Sequence, residues 1–151
     1  ELDGKTLGII GFGKIGRRVS EIAKAFGMNV LVYTPSGKKN DAPDVDFTDM
    51  DTVLKNSDFI TVHCPLTDKT AELINHEFIS KLKDGACVIN TARGGVANED
   101  DIANALKTGK LSCFITPHIA WAAYETRLRL MGILEGNVKA FLNGNPTNVV
   151  N

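Results

Sequence analysis

Cysteine is scarce: the chain holds three, Cys64, Cys87 and Cys113. The number is odd and each lies in an apolar or strand-like run. A disulfide framework is therefore not expected, and the thiols read as reduced, as in a cytoplasmic compartment. No stretch approaches the roughly 18 consecutive apolar residues of a membrane span, and no basic leader followed by an apolar run opens the chain. An excess of one charge is missing as well. Seventeen Lys and Arg stand against eighteen Asp and Glu, so no net field favours a polyanion or an anionic lipid surface. Nucleic acid and membrane are not expected partners. Cysteine and histidine are nowhere spaced as metal ligands. The first residue is Glu1 rather than Met, which fits a piece of a longer polypeptide.

What is present suffices for one core: 43% of the 151 residues are apolar, the range of a single domain, and residues 1–151 are expected to fold as one unit. Short β-rich runs alternate with helical patterns, which predicts an α/β fold with a Rossmann-like parallel sheet of about five to six strands and helices on both faces. The expected strands are 6–10, 29–33, 58–63, 86–90 and 112–116, nearly continuous in apolar residues, as strands covered on both faces are. Between the first two, Ile15, Val19, Ile22, Ala23 and Phe26 recur at helical spacing and should pack on the sheet, with Gly27 ending the helix. Further helices are expected at 50–56, at 76–82 after Asn75, at 99–107 between the cap Asn98 and Gly109, and at about 123–142. In the last, Tyr124, Leu128, Met131, Leu134, Val138 and Phe141 share one side. Residues 35–43 form the one polar, loop-like stretch of any length.

The densest signal is Gly11-Phe12-Gly13-Lys14-Ile15-Gly16. Three glycines at this spacing say little alone, because such turns are common. Here they follow a strand and open an amphipathic helix within a βαβ unit, as dinucleotide binding requires. Gly11 permits the turn, Gly13 lets a pyrophosphate approach the backbone, and Gly16 lets helix and strand close up. The N–H groups of Lys14 and Ile15 then face the anion at the positive end of the helix dipole. The bland alternative is a tight turn that binds nothing, with Lys14 merely solvated.

Cofactor choice turns on the end of the second strand, Val32-Tyr33-Thr34-Pro35-Ser36-Gly37-Lys38-Lys39. A carboxylate there would bond both ribose hydroxyls and repel a 2′-phosphate; Thr34 occupies its place. Ser36, Lys38 and Lys39 offer hydrogen bonds and positive charge to that phosphate, or simply solubilise a loop. NAD and NADP both stay open.

Four motifs in order, Leu7-Gly8-Ile9-Ile10-Gly11-Phe12-Gly13-Lys14-Ile15-Gly16, His63-Cys64-Pro65-Leu66-Thr67, Val88-Ile89-Asn90-Thr91-Ala92-Arg93-Gly94-Gly95 and Thr116-Pro117-His118-Ile119-Ala120, resemble the cofactor domain of the D-isomer-specific 2-hydroxyacid dehydrogenases. The resemblance covers nearly the whole chain, and Pro117–Trp121 is most similar to the glycerate (hydroxypyruvate) branch. It implies NAD(P)-dependent hydride transfer between a D-2-hydroxy acid and its 2-oxo acid. That chemistry needs a base for the hydroxyl proton and a cation for the carboxylate. Arg93 and His118 match these needs, one with a guanidinium suited to two-point carboxylate binding, the other with an imidazole that exchanges protons near neutral pH. The alternatives are a surface ion pair for Arg93 and a structural imidazole for His118. His63 reads as a strand-end residue and His76 as a first-turn helix residue. By the same resemblance His63, Cys64, Pro65, Thr91 and Ala92 join Arg93 and His118 in lining the cofactor, and no cysteine serves as a nucleophile.

The chain also departs from the family. Between Gly109-Lys110-Leu111 and Ile115-Thr116-Pro117 the family carries a strand, an acid- and proline-rich segment with the catalytic glutamate, and the final strand. Here only Ser112-Cys113-Phe114 stands in that interval. His118 thus lacks its orienting carboxylate, and one strand is left to do the work of two. The family's second, substrate-binding domain is represented at most by the tail Pro146-Thr147-Asn148-Val149-Val150. Three functions are consequently weighed: a hydride-transferring oxidoreductase, a cofactor-binding module without useful catalysis, and a structural fragment that forms a homodimer through the last helix.

Overall fold

Among the described residues, six parallel strands and four α-helices build the first of two compact units, 1–113; the second is 114–151. The structure is a computed structural model that describes residues 1–35, 42–112 and 122–150. The elements are β1 (Thr6–Ile10), α1 (Lys14–Ala25), β2 (Asn29–Tyr33), β3 (Asp46–Phe47), α2 (Met50–Asn56), β4 (Phe59–Val62), α3 (His76–Ser80), β5 (Ala86–Asn90), a 3-10 turn Gly94–Val96, α4 (Glu99–Lys107), β6 (Leu111–Ser112) and α5 (Tyr124–Leu142).

The sheet order is β3-β2-β1-β4-β5-β6. From β1 the chain builds outward through β2 and β3, then returns to pair β4 with the other side of β1. The strand order therefore reverses between β1 and β4, where open parallel sheets form a crevice at their carboxyl edge. Register is set by β1, with Ile9 beside Val32 on one side and Thr61 on the other. Side-chain alternation then divides the core. Leu7, Ile9, Val30 and Val32 face α1, while Ile10, Ile60 and Val62 join Phe78, Ile79 and Ala105 on the opposite face.

Strands 6–10, 29–33 and 86–90 and helices 50–56 and 99–107 lie where the sequence places them. Strand 58–63 and helix 76–82 are each shorter by two residues, ordinary fraying at element ends. Of strand 112–116 only Ser112 lies within the described residues, paired beside Cys87 in β6. Strand β3 is unforeseen: Asp46 and Phe47 pair with Leu31 and Val32.

The expected apolar stripe of α1 needs correction. Ala23 is buried and Val19 packs on the sheet, but Ile15, Ile22 and Phe26 are 65%, 46% and 58% exposed. The sheet is met instead by the small residues Gly16, Ser20 and Ala23, at the i, i+4, i+7 spacing of one helical face. Small side chains bring this helix close to β1. The same closeness recurs on the other face, where a Cβ on Gly8 would stand 2.4 Å from Ser57 Oγ and 2.7 Å from Val53 Cγ1, both in fully buried side chains.

In the second unit α5 has no buried residue, and its apolar Tyr124, Leu128, Met131, Leu134, Val138 and Phe141 are all about half exposed or more. Glu135 and Lys139 pair at 2.6 Å. Beyond Gly144 the tail turns back, with Asn148 Nδ2 donating to Asn137 Oδ1 at 2.8 Å. Among the described residues no helix is long and apolar enough to cross a membrane.

Replacing Gly8 by Ala forces a methyl into α2, an overpacking that should cost about 1–3 kcal/mol. Urea denaturation of Gly8→Ala checks this. A loss below about 0.5 kcal/mol, the range of neutral surface changes, would contradict the tight β1–α2 contact.

Candidate functional site

Gly11 sits at φ +96°, and a Cβ there would lie 2.9 Å from the backbone of His63 and Cys64. Only glycine adopts that backbone without strain, and only glycine lets the β1 and β4 ends approach so closely. Its N–H donates to Tyr33 O at 2.9 Å, while the His63 N–H donates to Ile10 O at 2.8 Å, so the ends of β2, β1 and β4 are tied together. Gly16 meets the same turn from the helix side, its Cβ position only 2.3 Å from Gly11 O. Phe12 anchors the turn in the core. It is 6% exposed, edge-on to Phe47 at 5.2 Å, with the Arg17 guanidinium 4.9 Å above its ring. Here the short β3 has its use, since it delivers Phe47.

The amino end of α1 differs from those of its neighbours. Asp49, Asn75 and Asn98 each accept a first-turn N–H of α2, α3 and α4, and each of those helices carries an acid in its first turn. Helix α1 starts from Gly13 with neither a side-chain cap nor an acid. Its first N–H groups, Lys14 and Ile15 among them, lack the partner that a capping side chain would give. A Cβ at Gly13 would meet nothing within 4 Å. Open space in front of uncapped amides at a positive helix end fits a diphosphate, and a side chain there would fill the cradle.

The other site candidates gather along the same carboxyl edge. Thr34 follows β2. His63, Cys64 and Pro65 follow β4, and Thr91, Ala92 and Arg93 follow β5. Ser36, Lys38 and His118 lie outside the described residues. His63 is half-buried, its Nε2 3.0 Å from Thr61 Oγ1, and burial lowers its pKa below the usual 6.5. Burial raises the Cys64 thiol, which keeps it protonated and unsuited to nucleophilic work. Arg93 is exposed, its Nη1 donating to Ala92 O at 2.8 Å, and among the described residues it pairs with no carboxylate. Leu66 packs on Gly95, 3.3 Å from its Cβ position, so the loops after β4 and β5 touch. A cleft of about 590 Å³ lies elsewhere, between α3 and α4 beside His76, Asp84, Asp101 and Lys110. Among the described residues no group of three or more His, Cys, Asp or Glu is placed to hold a metal ion.

The family profile described as "D-isomer specific 2-hydroxyacid dehydrogenase, NAD binding domain" matches residues 1–118. The chain belongs to this family. It is 41% identical over 177 positions to a hydroxypyruvate reductase of Blautia hydrogenotrophica, an alignment that covers all of this chain and 54% of that protein. Among solved structures, a D-lactate dehydrogenase from Aquifex aeolicus, complexed with NAD and lactic acid, is 34% identical with a TM-score of 0.84, over 96% of this chain and 55% of that one. An acyclic imino acid reductase in complex with NADPH and D-arginine is 30% identical with a TM-score of 0.85, over 100% and 55%. The chain thus spans about half the length of these relatives and is the NAD-binding domain of the family. The reductase alignment runs over 177 positions where this chain supplies 151 residues, so 26 positions have no counterpart here.

Because the folded state holds His63 below its unfolded pKa, the unfolded chain takes up a proton that the fold refuses. Stability from this group is therefore full above about pH 7 and falls as the pH drops through the unfolded value near 6.5. Urea midpoints should decline from pH 7 to pH 5, and His63→Asn should flatten part of that decline. Equal pH dependence in both proteins would contradict the shift.

Proposed function

We propose that this chain is the cofactor-holding half of an oxidoreductase that interconverts D-2-hydroxy acids and 2-oxo acids. The observation that carries the reading is the uncapped amino end of α1, opening on empty space at Gly13 where the strand order reverses. Lys14 and Ile15 amides hold the pyrophosphate. Thr34 lies toward the adenosine ribose, and His63, Cys64, Pro65, Thr91 and Ala92 line the cofactor along the sheet edge. Thr34 carries no charge to repel a 2′-phosphate, so NADP is accepted beside NAD; Ser36 and Lys38 add polar and positive groups to that end. A bound nicotinamide supplies the hydride donor or acceptor.

The chain's own residues supply the rest. Arg93, on the same edge, grips the substrate carboxylate with two bonds and polarises the neighbouring carbonyl. His118 takes the hydroxyl proton in oxidation and returns it in reduction. Two deficits limit turnover by this chain alone. Residues 1–151 carry no counterpart of the family's glutamate segment beside His118, and enclosure of the carbons that must align asks for a wall from outside these residues. The chain therefore binds cofactor and turns over slowly or not at all. Residues 1–151 act as a single cofactor domain, in a reducing, cytoplasmic setting that suits the buried, protonated thiol of Cys64. The near-neutral charge makes nucleic acid and membrane poor partners. The apolar side of α5 offers a second copy a surface for a homodimer.

Titration of NADH and NADPH, followed by energy transfer from Trp121, tests the reading. Both should bind saturably, and Gly13→Ala should weaken NADH at least about tenfold, the loss of one charge-assisted bond or more. The same variant should keep its urea midpoint, since the methyl meets no protein atom. Unchanged affinity in Gly13→Ala, or rapid reduction of hydroxypyruvate by the purified chain, would overturn the corresponding claim.

A further inference from the structure

Strand β5 ends on Asn90, which stands beside Val62 of β4. Its side chain then acts on the loop that follows. Asn90 Oδ1 accepts the Ala92 N–H at 3.0 Å, and Asn90 Nδ2 donates to Arg93 O at 2.8 Å. One planar amide thus fixes the main chain at two consecutive residues, the second of which bears the exposed guanidinium. Arg93 itself has extended backbone, φ −145° and ψ 144°, and caps the 3-10 turn, whose Val96 N–H also donates to Arg93 O at 3.2 Å.

The far end of this loop is held differently. Glu72 N–H donates to Gly95 O, Ile74 N–H to Val96 O and Asn98 N–H to Ile74 O, at 2.9–3.0 Å, and Val96 is fully buried. Those backbone bonds need no particular side chain. The near end, where β5 gives way to Arg93, depends on Asn90. Few residues can replace it, because the two bonds require an acceptor and a donor on one short, flat group. Aspartate keeps the acceptor but turns a second oxygen toward Arg93 O, alanine loses both bonds, and glutamine is longer by a methylene.

We infer that Asn90 is a positioning residue, which sets the Thr91-Ala92-Arg93 turn so that the Arg93 guanidinium meets a substrate carboxylate on the sheet's carboxyl edge. The inference rests on Arg93 as the carboxylate-binding group. A misplaced guanidinium loses two-point binding while the distant glycine turn is untouched, so substrate and cofactor affinities should separate.

Two measurements test it. In the first, amide hydrogen exchange at Ala92 is followed by NMR in the cofactor-free chain. Exchange should quicken about tenfold or more in Asn90→Ala and stay near the parent rate in Asn90→Asp, which keeps the acceptor. In the second, oxamate, a carboxylate-bearing 2-oxo acid isostere, is titrated into the NADH complex. Asn90→Asp should weaken oxamate about tenfold, approaching Arg93→Ala, with NADH, still held by the glycine turn, weakened by a clearly smaller factor. Wild-type oxamate binding in Asn90→Asp, or unchanged Ala92 exchange in Asn90→Ala, would overturn the inference. If the parent NADH complex takes up no oxamate, the carboxylate role of Arg93 fails and the positioning role fails with it. Quickened Ala92 exchange would then show that Asn90 only braces the loop.

Discussion

Everything in the candidate site hangs on one contact, the helix α1 drawn against the β1 turn until Gly16 touches the carbonyl of Gly11. A side chain at Gly16 would push the helix outward, and one at Gly11 would strike the backbone of His63 and Cys64 at the end of β4. Drawn in, the helix presents its first amides at the carboxyl edge, beside the point where the strand order reverses. That position, combined with the absence of a cap or first-turn acid, turns a routine structural cost into a binding device. The buried Phe12, edge-on to Phe47 and beneath Arg17, stiffens the turn from below.

The same contact explains where reading by periodicity succeeds and where it misleads. Strand β1 and helices α2 and α4 are legible because a short continuous apolar run, or a cap such as Asn98 with acids behind it, reflects purely local physics. Helix α1 is placed correctly along the chain but turned about its axis, since counting large apolar residues favours Ile15, Ile22 and Phe26. Closeness to the sheet demands Gly16, Ser20 and Ala23 instead. Strand β3 escapes notice because two residues, Asp46 and Phe47, are too few to show a period; pairing with β2 alone defines them. The glycine cradle and Arg93 are visible as motifs. Asn90 sits inside one of those motifs, yet its two hydrogen bonds belong to a turn whose shape no spacing rule describes.

As a member of its family the domain spans about half the length of its relatives. Arg93 is exposed, pairs with no carboxylate among the described residues, and donates from its guanidinium to the carbonyl of its own neighbour Ala92. In water such a cation has high-dielectric surroundings and modest pull; enclosed, the same group would bind a carboxylate far more strongly. Helix α5, with no buried residue, is a second surface that folding of this chain alone leaves uncovered. In the proposed reading, cofactor binding draws chiefly on the turn and the sheet edge. Catalysis asks for enclosure as well.

The most direct test of the central claim is an amide chemical-shift map recorded as NADH is added to isotopically labelled chain. The Lys14 and Ile15 amides should move furthest, with Gly13 and the residues after β4 close behind. Shifts confined to the cleft between α3 and α4, with the amino end of α1 unmoved, would contradict it.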